Sequence, residues 1–187
     1  FENNANGGYS VAMGNACSAI RENSVAMGGY SFAMGESSFS MGENCNAKGN
    51  YSVAMGENCT TNGDYSVAMG FKNIANDYAT VALGTSSIAY GIASVALGDR
   101  CKAMGTCSVA MGNTCNANGN YSFTIGNDCS ANGQYSVAMG QVCNAIGDNS
   151  VAMGGGSFAK GQYSVAMGDG SFANGAASVA MGNNCNA

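Results

Sequence analysis

Glycine returns at every seventh residue from Gly7 to Gly182, and only Arg21 and Asp77 interrupt the series. Nothing is inserted or lost between repeats, so every turn must have the same length. A seven-residue period ordinarily suggests a coiled coil. One glycine per heptad costs a helix about 1 kcal/mol each time, which removes that reading. Alanine stands two residues before the glycine, replaced only by Ser40, Thr61 and Thr124, and a small polar or thiol residue stands four before it, as at Ser10, Cys17, Ser24, Ser31, Ser38 and Cys45. Small and larger side chains alternate, which is the two-residue period of a β-strand. Glycine takes positive φ without steric cost, so each one is expected to mark a tight corner.

A fourteen-residue period lies over the seven. One heptad in two carries large apolar residues on both sides of its alanine: Val11 and Met13, Val25 and Met27, Phe39 and Met41, Val53 and Met55, Val67 and Met69, Val81 and Leu83, Val95 and Leu97. The series runs on through Val109 and Met111, Phe123 and Ile125, Val137 and Met139, Val151 and Met153, Val165 and Met167, and Val179 and Met181. The alternate heptads are mainly polar, as at Asn46 and Lys48, Asn116 and Asn118, or Ser130 and Asn132. These periods predict an all-β chain, a parallel β-solenoid with two short strands and two turns in each fourteen-residue coil. About thirteen coils over residues 1–187 read as one repeat domain, a fragment of a longer chain, and at ~4.8 Å per coil they stack to roughly 60 Å.

Two sheets this close leave room inside only for Ser, Cys and Ala, so the larger residues point outward. On one side they meet water as an Asn-rich face. On the other they form a continuous Val/Met wall, far larger than the few hundred Å² of exposed apolar patch that a monomer tolerates. The wall therefore predicts an obligate oligomer of like chains packed along the solenoid, with the thirteen apolar pairs as its interface.

The phrase Ser-Val-Ala-Met-Gly, at 52–56, 66–70 and 136–140, with a following Cys-Asn-Ala-Asn-Gly as at 115–119, resembles the head repeats of trimeric autotransporter adhesins of the YadA type. The resemblance covers essentially the whole chain. It implies a left-handed β-roll, a homotrimer around a long axis, and attachment to a host cell, matrix protein or glycan from a bacterial surface. The same roll is found in fibre proteins of phages and large viruses, so a virion surface is a second location. A structural spacer or filament subunit without a ligand is the alternative function, and an ice-binding solenoid a minor one.

Other chemistries find little support. Only 9% of residues are charged and the net charge is −5, with six basic residues spread along the chain, which argues against nucleic acid. No apolar run reaches the ~18 residues of a membrane helix. Histidine is absent and no buried acid pair or Cys-x-x-Cys is expected, so no catalytic residue, metal site or cofactor is expected. Cys17, Cys45, Cys59, Cys101, Cys115, Cys129, Cys143 and Cys185 share one repeat position and are read as a buried ladder of free thiols, with Cys107 alone at a turn. The carboxylates fall at turns, as solvated acids. Tyr9, Tyr51, Tyr65, Tyr121, Tyr135 and Tyr163 precede the apolar strands and are expected to brace the interchain seam. The polar rule fails most between Phe71 and Met104, where Ile74, Ile88, Tyr90 and Met104 point outward and Phe71 and Ile92 lie at turns. This is the candidate contact for a partner.

Overall fold

In the computed structural model, which describes residues 2–187, each coil pairs one five-residue strand with one two-residue strand. The chain forms two units, one ending at Ala93 and the other running from Ser94 to Ala187. In the first, the long strands from Val11–Asn15 to Val81–Thr85 make one parallel sheet in chain order, and the short strands from Asn4–Ala5 to Ile88–Ala89 make the other. The second repeats this with long strands from Val95–Asp99 to Val179–Asn183 and short strands from Lys102–Ala103 to Phe172–Ala173. Within each unit the paired strand residues lie fourteen positions apart, as Val67 with Val81 and Asn116 with Ser130. The fold is a parallel β-solenoid of about thirteen coils.

The expectation that every repeat glycine is a positive-φ corner is corrected. Only the glycine that follows the apolar pair has positive φ, between 112° at Gly154 and 134° at Gly126, and it lies within the long strand rather than at a corner. It adopts an extended, mirror-image conformation open only to glycine, which is how the long strand continues past it. The corners are made two residues after each repeat glycine, largely by non-glycine residues such as Tyr51 and Val142 in the left-handed region at φ 50–57°. The other glycine class does not have positive φ. Arg21 and Asp77 both fall in that class, and neither takes a positive φ.

Close stacking explains why both classes are glycine. A Cβ on Gly140 would lie 2.1 Å from the carbonyl oxygen of Gly154 in the next coil, and one on Gly49 would lie 2.0 Å from that of Gly63. A side chain in the second class requires the next coil to shift, but it does not require a forbidden φ. A side chain in the first class requires both.

The core is a single file of small side chains. Ala26, Ala54, Ala96 and Ala138 are fully buried, as are Ser52, Ser136, Cys59 and Cys115. Serines entering the long strands close the corner by donating to the carbonyl three residues back, Ser52 Oγ to Gly49 O and Ser136 Oγ to Gly133 O at 2.6 Å. Ser94, Ser108, Ser122, Ser150, Ser164 and Ser178 occupy the same place, and their hydroxyls make no hydrogen bond. Asn73 is the largest fully buried side chain, at a place that is Ser or Cys in most coils. It spans two coils by donating to Met69 O at 2.7 Å and Gly84 O at 2.6 Å while accepting from Ser87 N–H at 2.8 Å.

Candidate functional site

The long strands present their apolar pairs outward. Val25 and Met27 are half-buried on either side of the fully buried Ala26, and the same pattern recurs at Val53 and Met55 and at Val137 and Met139. In-register pairing lays Val67 on Val81 and Met69 on Leu83, so each row is covered above and below by its own kind and left open on its outer side. All twenty-six residues expected at an interchain seam lie on these long strands, with no polar side chain among them.

The short-strand face is patterned rather than uniform. Asparagines form ladders, Asn118 Nδ2 donating to Asn132 Oδ1 at 2.7 Å and Asn132 Nδ2 to Asn144 Oδ1 at 2.9 Å. Apolar groups interrupt them. In the first unit Ile74 pairs with Ile88, and Tyr90 and Ile92 beyond them are 51% and 47% exposed. Met104, expected to belong with them, is an exposed residue of the second unit. Phe71, expected at a turn, instead ends the strand Val67–Phe71 and carries the Lys72 ammonium 4.7 Å from its ring centroid. The strand lengthens through Gly70, which draws Phe71 into the ladder. Two further features lie on this side. Phe158 and Phe172 stack at 5.1 Å, and a shallow polar groove is lined by Arg21, Glu22, Met34, Glu36, Lys48 and Asn50. The signal for the groove was available, since Arg21 stands where the repeat has glycine.

At the corners the acids and amides work along the stack. Asp64 Oδ1 accepts from Asn50 N–H at 2.7 Å, Asp148 Oδ1 from Gln134 N–H at 2.8 Å, and Asn120 Oδ1 from Thr106 N–H at 2.9 Å. These carboxylates satisfy turn amides one coil back. Tyrosines fill other corners, with Tyr51 and Tyr65 stacked at 5.1 Å and Tyr121 and Tyr135 likewise.

The cysteines form the internal ladder, all free and, apart from Cys107 and Cys185, buried. Each buried thiol repeats one contact: Cys45 Sγ donates to Gly56 O at 3.2 Å, Cys59 to Gly70 O at 3.3 Å, and Cys129 to Gly140 O at 3.2 Å. Thiols on successive coils perturb one another: the side-chain interaction between Cys45 and Cys59 draws Cys59 down to about 7 and holds Cys45 well above the usual thiol value, with burial adding to the rise. Cys101 is drawn down to about 7 by Cys115 in the same way. Cys129 is pushed up by its bond to Cys115 and by burial, and Cys143 chiefly by burial.

A family model described as the YadA head domain repeat matches residues 5–31, 47–73, 78–100, 131–157, 145–171 and 159–184, together well over half of the chain. A comparison with curated proteins returns no match.

Proposed function

Because the chain belongs to the family of YadA head domain repeats, we propose that it is the head of a trimeric surface adhesin or fibre, displayed outside a bacterial cell or on a virion, that attaches to a host cell, matrix protein or glycan. Membership in the family supports an adhesin-like, non-enzymatic role at a surface. The observation that carries the oligomer is the run of Val, Met, Leu, Phe and Ile pairs along every long strand, half-buried or exposed and without cover within the chain. Three copies bring these faces together around an axis parallel to the coil stack, and the short-strand faces look outward. Partner contact falls on Ile74, Ile88, Tyr90 and Ile92, where apolar groups, exposed except for the half-buried Ile88, replace the asparagine ladder.

Light scattering at low concentration tests the assembly. A mass three times the 18.7 kDa of the chain is expected, and a stable monomer would overturn the reading. Binding of the assembled protein to cells, matrix proteins and glycans tests the attachment. Ile88→Asn with Tyr90→Asn should abolish that binding at unchanged mass. A second reading, a spacer with no ligand, is favoured by the near-uniform coils. It is the one left standing if the intact trimer binds none of these.

A further inference from the structure

Two corners hold a pair of tyrosines whose geometry suits a chemical reaction. Tyr51 and Tyr65 occupy the same corner on successive coils, both in the left-handed region at φ 55° and 57°. Their backbones are tied to the coil before, Tyr51 N–H donating to Glu36 O at 2.8 Å and Tyr65 N–H to Asn50 O at 2.9 Å. The two Cα atoms therefore follow the coil rise of ~4.8 Å, and the rings follow the Cα atoms. Their centroids lie 5.1 Å apart with 8° between the planes, and in the single chain the residues are 48% and 53% exposed. Tyr121 and Tyr135 repeat this in the second unit, at 5.1 Å and 9°, 50% and 52% exposed. Two phenoxyl radicals join through the faces of their π systems, at the ring carbons beside the oxygen. A parallel stack with centroids 5.1 Å apart keeps the two phenols face to face before any radical forms, replacing an encounter in solution by a positioned one.

We propose that Tyr51–Tyr65 and Tyr121–Tyr135 are sites of oxidative cross-linking, at which a haem peroxidase with hydrogen peroxide converts each stacked pair to dityrosine. Each phenol gives up one electron and one proton. The two radicals form a carbon–carbon bond between ring positions ortho to the hydroxyls, and each of those carbons loses its hydrogen as the phenol oxygen regains a proton. In sum, two tyrosines and one hydrogen peroxide give one dityrosine and two waters. The product ties two coils together at their corner, independently of whether the protein binds a host target.

Other tyrosines serve as internal controls. Tyr78 meets Tyr65 edge-on at 68° and 5.5 Å, which presents no second face. Tyr163 is 59% exposed, but Asn149 and Ala177 occupy its corner on the adjacent coils. The assembled protein is treated with peroxidase and hydrogen peroxide, dityrosine is followed by its fluorescence, and the linked peptides are mapped by mass spectrometry. Links 51–65 and 121–135 are expected within one chain, with none at Tyr78 or Tyr163. Tyr65→Phe keeps the stacked ring and removes the phenol, and should lower the yield by about half. Adding Tyr135→Phe should bring it to background. A yield that survives the double substitution, links mainly at Tyr78 or Tyr163 or between chains, or no dityrosine at all would overturn the proposal.

Discussion

A single φ angle separates residues that look interchangeable in this chain. Val142 sits at a corner with φ 56°, its N–H held by Asn127 O at 2.9 Å and its side chain 44% exposed. A β-branched residue in the left-handed region is disfavoured by about 1–2 kcal/mol, and here little packing offsets it. Asn44, Asn58 and Asn184 occupy the equivalent corner at φ 53–57°. Val142→Asn should therefore raise stability by about 1 kcal/mol, read as a higher urea midpoint. Gly140→Ala should do the reverse. It places a Cβ at φ 128° and 2.1 Å from a backbone oxygen, and a loss of about 3 kcal/mol or more is expected in the same measurement. The glycine class that tolerates Arg21 and Asp77 should be milder, since there the next coil has only to move.

At the scale of the strand and its rungs, the coil length and the inward set were legible because glycine spacing and alternation of small and large side chains are both written in residue type. The unequal strands were not, because the in-strand glycine and the glycine that follows the short strand are the same letter and differ in φ. Asn73 was hidden because its repeat position reads as small, and a longer amide fits there only by bridging two carbonyls. The groove beside Arg21 and the Phe158–Phe172 stack arise from neighbours fourteen residues apart, a relation that the coil length supplies, but residue type alone gives neither the opening of the groove nor the angle between the rings. The thiol rungs carry a pH dependence. Cys45, Cys115, Cys129 and Cys143 are held above the ordinary thiol value of 9.0 in the folded chain, by hydrogen bonds from or to neighbouring thiols and by burial. Unfolded thiols ionise near that value and folded ones stay neutral, so their contribution is full below pH 9 and is lost as pH rises above it. The lowered pair, Cys59 and Cys101, act oppositely and lose their contribution as pH falls through about 7. Denaturant titrations should show stability falling above pH 9, by about 1.4 kcal/mol per pH unit for each thiol kept neutral. Cys129→Ser with Cys143→Ser should roughly halve that slope without unfolding the chain. Ser157 and Ser171 already make the same contact on other coils, donating to Gly168 O at 3.1 Å and Gly182 O at 2.9 Å.

For the whole molecule, the two faces should respond differently to charge. Val137→Asp with Met139→Asp puts two carboxylates into the proposed seam, where an unpaired buried charge costs several kcal/mol. The trimer should give way to monomer in light scattering. Asn116→Asp with Asn132→Asp, on the short strands, should leave the mass unchanged. The in-register pairing described above has a consequence for how such a chain can change over generations. Each coil offers its successor the same amides, carbonyls and side-chain rows that it received. Removing residues 108–121 joins Cys107 to Ser122 and sets Ser122 in the place of Ser108, so every later rung keeps its partner type. Removing seven residues instead would put a short strand on the apolar sheet and a long one on the other. Slippage of the coding sequence by whole coils would then be silent in the fold and alter only reach, while a half-coil error would be lethal to it.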